Sequence, residues 1–443
     1  MIWHRQLPAL VFVLVLALAC EGGGTSGPAP NGPIRLNFWT TVTVAAQAAA
    51  IQQQANQCAK SAGNVTLTFD SITAADTYPK LLAAYQGGNG PDIFNTVDPA
   101  VAFAQAAGRA VSVDDVIGSL GQTDFIPSFL NAVRKDGRIW GIPDWALHQE
   151  VWYRKDLFAA RGLSVPTTQA ELIADARAVD QGPNGIRGFA VPMGRVQVAP
   201  QMLYSFLYAD GLYTFDPSKG TYEFGNNQPA ESRTLQIMLD LYHSVSPPAS
   251  LNWQWGDFRT AFVHGQVAMT LDYGSVVGQA ASENPSMLDN IAAFPLPGPN
   301  GPGASVLGGG YYYIVGKSTP ARERAAKNLL RCMYAPDRVA ERANSRPVFA
   351  FPATISAFKS PVYQGNSVVQ QFKPVIDVIE QQELPRDYRY GMEYSLNPLA
   401  AQIEATTFIG DDMQAAALGR MTAAAAIKDI NTQLLTQIAL TRH

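Results

Sequence analysis

The chain has 443 residues, 47% hydrophobic and 15% charged, with a formal net charge of -4, enough for two or three ordinary domains and a large core. This balance excludes the basic footprint of a nucleic-acid binder. Its 17 Tyr, 20 Phe and 7 Trp exceed what a core alone requires, so some of them are expected to read a ligand.

Residues 1–20 read as an export segment: His4 and Arg5 supply a short positive region, and Leu7 to Ala19 an apolar run too short for a membrane span. The run ends Ala-Leu-Ala-Cys, which resembles a bacterial lipobox and implies diacylation of Cys20. The Gly-, Pro- and Ser-rich residues 21–33 read as a flexible tether. IRLNFWT, AAQAAAIQQQANQCAK and VTLTFDSI then alternate as strand, helix and strand. This predicts an α/β fold with parallel strands, whose ligands bind beyond the carboxyl ends of the strands. Trp39, Thr40 and Thr41 stand at such an end.

In GGNGPDIFNTVDPAVAFAQAAG, a turn leads to a short buried strand and a helix that starts at Asp98-Pro99. Asp98 is expected either to cap that helix or to accept ligand hydroxyls. Farther on, Asp144-Trp145 leads into His148-Gln149, Trp253 and Trp255 flank Gln254, and Tyr273 follows Asp272. Aromatic faces beside carboxylates and amides match a sugar's apolar C–H faces and its rim of hydroxyls.

SVLGGGYYYIVGKS ends like a phosphate loop, but Gly310 and Gly316 are separated by five residues where such a loop needs four, and Tyr-Tyr-Tyr-Ile-Val reads as a strand. Gly309 and Gly310 are instead expected to let ligand approach the backbone, with Tyr311 at the crevice and at least one of Tyr312 and Tyr313 in the core. No His or Cys stands at metal-ligand spacing, no nucleophile elbow occurs, and no cofactor is called for. Asp98, Asp144, Glu150, Asp257 and Asp272 leave a glycoside hydrolase as the enzymatic alternative. Cys58 and Cys332 are either free thiols or a disulfide of an exported protein. Tyr390, just before Gly391, either reaches the cleft or packs away from it.

GRIWGIP, WYRKDLF and GLSVPTT, followed by AFVHGQVAMTLDYGS and by the segment around GGGYYYIVGKS, resemble the extracellular solute-binding proteins of ABC importers, in the family that carries mainly sugars. Arg154 stands where that family usually has Asn. The resemblance runs from about Ile34 to the C-terminus, where Asp411 and Asp412 are read as opening the last helix. It implies two α/β lobes with an interlobe ligand cleft, closing by hinge bending. The expected ranges are 34–145 plus 297–345 for the first lobe and 146–296 plus 346–443 for the second. Carried over by position, it implies ligand contacts from Asp98, Gln201, Tyr273, Ser275 and Gly309 to Tyr311, with Gln201 departing from the aromatic choice. The implied protein is a monomeric, non-enzymatic lipoprotein on the outer face of the cytoplasmic membrane that hands a sugar to an ABC permease. The alternative ligand is a glycerophosphodiester or another polyol-like solute, with Arg195, Arg346 and Arg389 available to a phosphate.

Overall fold

The alternation in IRLNFWT becomes strand β1 (Ile34–Thr40), which buries Leu36, Phe38 and Thr40 and leaves the residues between them partly or fully exposed. It pairs in parallel with β2 (Val65–Ser71) and β3 (Ile93–Val97). The computed structural model describes residues 32–62, 64–73 and 76–440. Cys20, the export segment and nearly all of the tether lie outside the described residues. The other strands of the two larger sheets are β4 (Ile142–His148), β5 (Glu150–Arg154), β6 (Arg187–Ala190), β7 (Val267–Asp272), β8 (Ile291–Phe294), β9 (Val306–Val315), β10 (Phe351–Pro352) and β11 (Asp387–Tyr388).

Two larger sheets result. The seven-stranded one runs β10-β4-β9-β3-β1-β2, with β11 beside β9, and the four-stranded one runs β8-β5-β7-β6. The chain passes from the first sheet to the second between β4 and β5 through one residue, Gln149. β9 is antiparallel to both β3 and β4, so the first sheet is mixed. β10 and β11 come from the range expected in the second lobe but pair into the first sheet. Two-residue strands carry no period that a sequence reading can detect.

The helices that matter for the site are α1 (Ala45–Ser61), α2 (Asp98–Ala106), α3 (Gln169–Val179), α4 (Val198–Ala209), α5 (Trp255–Val263), α6 (Ser275–Glu283), α7 (Pro320–Met333), α8 (Pro336–Asn344), α9 (Leu399–Ala405), α10 (Phe408–Ala417) and α11 (Ala423–Leu440). Alanine, the best helix former, dominates the start of α1. Thr168 and Glu171 close a capping box at the start of α3. Helix α4 is buried at every position, as a helix apolar on all sides should be. Asp411 and Asp412 lie in α10, the penultimate helix, and the last helix begins instead at Ala423. The alanine run after Thr422 nucleates α11 without an acidic first turn.

One core gathers on the first sheet around Phe38, Ile93, Tyr312 and Tyr313, and a second on the smaller sheet around Met202, Phe206, Met238 and Met269. Both Tyr312 and Tyr313 are fully buried. Cys58 of α1 and Cys332 of α7 form a disulfide with Cα atoms 5.6 Å apart.

Candidate ligand-binding site

Asp98 ends up at a different helical position from the one a cap requires. Val97 occupies the N-cap, Asp98 is the first helical residue, and no side-chain cap bond forms. Its carboxylate is buried and lies 3.6 Å from Arg389 Nε. Gly309 makes this possible, because a Cβ there would sit 3.2 Å from Asp98 Oδ2 and 3.5 Å from the Arg389 guanidinium. Gly308 and Gly310 are likewise filled by the protein's own side chains, Asp387 and Phe129. The three glycines therefore admit protein groups to the backbone of β9, where a ligand was expected.

Arg389 also pairs with Glu404 of α9, and the Tyr390 hydroxyl donates to the same carboxylate at 2.9 Å. The Arg389 guanidinium carbon lies 4.4 Å from the centre of the Tyr390 ring. Burial pushes the Asp98 carboxyl up to about 7 against the opposing pull of Arg389. Asp98 Oδ2 has no hydrogen-bond partner within the protein. Buried polar atoms are normally satisfied, so this oxygen is a candidate to receive a ligand group.

From the second sheet, Gln201 of α4 is the hub. Its Oε1 accepts from Trp255 Nε1 at 3.1 Å and from the Tyr273 hydroxyl at 3.5 Å. The two rings meet edge to face with centroids 5.1 Å apart. Ser205, one turn on, accepts nothing from this pair but donates to Gln149 and to the Gln201 carbonyl. At the end of β7, Asp272 accepts from the Val276 amide at 3.1 Å and lies 3.8 Å from Arg259. Ser275 accepts from Arg346 at 2.8 Å.

The two sets of groups lie within electrostatic reach of each other. Tyr311, stacked on Trp145 at 4.6 Å, feels the charges of Arg346, Asp98 and Glu404. Tyr273, on the other sheet, feels those of Arg389, Asp98 and Glu404. Two cavities flank the Arg389–Tyr390–Glu404 group. One, of about 140 Å³, is lined by Asp98, Gly309, Asp387, Arg389 and Glu393. The other, of about 130 Å³, is lined by Arg195, Gln197, Tyr390, Glu404 and Thr407.

Not every expected residue joins this group. Trp145 is 1% exposed and supports Tyr311 from the core. His148 is fully buried between Phe129 and Phe351, where burial pushes its imidazole down to about 3. Thr40 is fully buried and donates to Asn95. Trp39 packs edge-on to Phe94, and Trp253 on Phe258. Glu404 and Arg259 were missed: each is a charged residue on an ordinary helix, and only tertiary packing brings it to the crevice. The signal that Arg346 and Arg389 gave was read only as a possible phosphate clamp.

Among the described residues, no three or more His, Cys, Asp or Glu could hold a metal ion, and no helix is long and apolar enough to cross a membrane. The chain is similar to a maltose-bound MalE3 of T. maritima (TM-score 0.73, 21% identity, 91% of this chain and 99% of that one). It is also similar to the sugar-binding protein MalE of Xanthomonas citri (TM-score 0.73, 18% identity, 92% and 98%). Curated relatives include a protein of Sinorhizobium fredii named as a probable amino-acid ABC transporter periplasmic-binding protein, 26% identical over 52% of this chain and 50% of that one. The osmoprotective compounds-binding protein GgtB of Synechocystis is 23% identical over 40% of this chain and 42% of its own. The chain thus spans about half the length of these relatives. A family model described as bacterial extracellular solute-binding protein matches residues 53–370. With most of the folded chain inside that match and the two-lobe fold shared with sugar-binding proteins, this protein belongs to the bacterial extracellular solute-binding proteins.

Proposed function

We propose that the chain captures a carbohydrate in the crevice between its two sheets and delivers it to an ABC permease. What supports this reading is that Tyr311 on one sheet and Tyr273 beside the other both lie within reach of the Asp98 and Glu404 charges, with Tyr273 held in a cluster with Gln201 and Trp255. Rings beside amide, hydroxyl and carboxylate acceptors suit a polyhydroxylated ligand. The maltose-bound neighbour agrees with this choice. The two lobes divide at Gln149 and close on the ligand by bending there, since a ligand favours closure only through contacts to both sides. The ligand sites are Asp98, Tyr311, Gln201, Trp255, Tyr273 and Ser275, with Tyr390 behind them. The protein works as a monomer, held to the outer face of the cytoplasmic membrane through a lipid on Cys20.

Hydrolysis is disfavoured by how the carboxylates are used. Asp98, Asp144 and Asp272 each face an arginine, and Asp257 accepts the Gln254 amide at the start of α5. Glu150, the fifth candidate, is 2% exposed and packs with Glu383.

A thermal-shift screen of neutral sugars, polyols and amino acids tests the reading, because a ligand that binds only the folded state raises its melting temperature. Stabilisation by sugars, with calorimetric affinity falling about 5- to 150-fold in Asp98→Asn, is expected. Stabilisation by amino acids alone would overturn the carbohydrate assignment.

A further inference from the structure

Arg346 differs from the other arginines around the crevice. Arg342 meets Asp144, Arg389 meets Asp98 and Glu404, and Arg259 meets Asp272. Arg346 forms no ion pair with any acid among the described residues. What holds it is neutral: the Ser275 hydroxyl at 2.8 Å, and the Phe349 ring, whose centre lies 3.3 Å from the guanidinium carbon. A guanidinium carries five N–H donors in a fixed fork that matches an oxyanion.

Its position is built, since Arg346 opens a segment with a costly backbone. Val348, two residues on, is β-branched yet has φ 67°, a conformation that L residues with branched side chains avoid. The Val348 carbonyl presses on Gly274, where a Cβ would lie 2.3 Å from its oxygen and where φ is 80°. The strained segment is thereby clamped against the turn that carries Ser275, which accepts from Arg346. Strain of this kind persists where surrounding structure enforces it, and it gathers at ligand clamps.

The charges are also divided along the crevice. Arg389 sits between two acids, Asp98 and Glu404. At the other end, Arg259 lies 3.8 Å from Asp272, whose Oδ1 already accepts from Val276 and whose charge reaches Arg346 without an ion pair. Burial, then Arg259, pushes the Arg346 guanidinium down to about 10, which leaves it charged at neutral pH.

We propose that Arg346, with the Ser275 hydroxyl bonded to it, is an oxyanion subsite, so that the captured saccharide carries a carboxylate or a phosphate. This rests on the carbohydrate reading above. The acidic group lies at the Arg346 end, and neutral hydroxyls face Asp98 and Glu404.

The test is calorimetric titration of the full folded chain with glucose and maltose, with glucuronate and digalacturonate, and with glucose 6-phosphate. An acidic sugar should bind at least about 10-fold more tightly than its neutral counterpart, and Arg346→Gln should remove about 10- to 100-fold of that affinity while changing neutral-sugar binding little. Preference for the uronates identifies a carboxylate, and preference for the phosphate ester identifies a phosphate. Arg346→Lys should recover part of the loss. Should Arg346→Gln fail to fold, the acid-to-neutral ratio of the unaltered protein and of Ser275→Ala still decides. Neutral sugars binding as tightly as acidic ones would overturn the oxyanion subsite and leave the carbohydrate reading standing. Binding of no saccharide of either kind would defeat that reading and this inference together.

Discussion

Asp144 and His148 stand on the same strand, yet they belong to buried polar clusters of opposite kinds. Around Asp144 nearly every donor finds an acceptor. Oδ1 receives Arg342 Nε at 2.9 Å and Nη2 at 2.7 Å, Oδ2 receives Asn95 at 3.2 Å, and Arg342 Nη1 reaches Gln54 and the Met333 carbonyl, each at 2.7 Å. Around His148 the groups are Glu150, Glu383 and Asp387, all buried, and none of their carboxylate oxygens accepts a hydrogen bond from a protein donor. His148 Nδ1 lies 3.6 Å from Asp387. Glu150 and Glu383 lie near enough for the charge of Glu383 to raise the pKa of Glu150.

A protein interior tolerates a charge only where an opposite charge lies beside it. Burial opposes the Arg342 charge, but Asp144 outweighs it and holds the guanidinium above its usual range. In the second cluster no cation sits close enough to do the same. Burial, then the Glu383 charge, pushes Glu150 well above the carboxylate range, and burial takes Glu383 up to about 7. The first cluster braces the sheet beneath the crevice, and the second sits where the chain crosses between sheets.

The comparison can be broken most severely at Arg342. Arg342→Met leaves Asp144 buried and unpaired, and should cost about 3 to 5 kcal/mol in denaturant unfolding. A loss below about 1 kcal/mol would show that the pair braces nothing. Next in size is the disulfide, which ties α1, carrying Gln54, to α7 and spans 274 residues of sequence. Reduction, or Cys58→Ser with Cys332→Ser, should remove about 2 to 4 kcal/mol. An unchanged melting curve under reductant would count against a bonded pair.

The second cluster responds to pH. The folded pKa values of Glu150, Glu383 and Asp387 are all raised, so the folded state holds more protons than the unfolded chain. For Glu383 the resulting stability is full below the ordinary glutamate pKa and is lost as pH rises through about 7. His148, lowered to about 3, acts oppositely and costs stability as pH falls below the ordinary histidine range. Three carboxyls outweigh one imidazole, so melting temperature should rise from pH 8 to about pH 5.5. Glu383→Gln should stabilise the protein by about 1 to 3 kcal/mol at pH 8 and by little at pH 5. Equal effects at both pH values would remove Glu383 from the account.

The smallest expected effect lies at the edge of the first cluster. Thr40 donates to Asn95 and accepts from the Val42 amide, both at 3.1 Å. Thr40→Val should cost about 1 kcal/mol, the net worth of such bonds, and leave ligand affinity unchanged. A large fall in affinity would restore Thr40 to the site.

Much of this was legible in the residues and some was not. The parallel β1, β2 and β3 follow from alternation and from the intervening helix; Trp255 and Tyr273 were proposed from aromatic and polar residues clustered near strand ends, and Gln201 from the family resemblance. Trp145 and His148 carried the same local signature and proved to be core. Alternation states which face of a strand a residue occupies, but not which face another element will cover. Glu404 could not be found at all, since its partner Arg389 is 15 residues away in sequence and meets it only after α9 docks.

The position of β9 bears on how the chain comes into being. Its partner β3 ends at Val97, but β9 itself begins only at Val306, and it lies between β3 and β4 in the sheet. A growing polypeptide therefore holds β1 to β3 and β4 with an open gap between them until most of its length has been synthesised. Non-local pairing of this kind is slow to form. The first sheet of the nascent protein thus stays unfinished until the last third of the chain is made, whereas every strand of the second is present before β9.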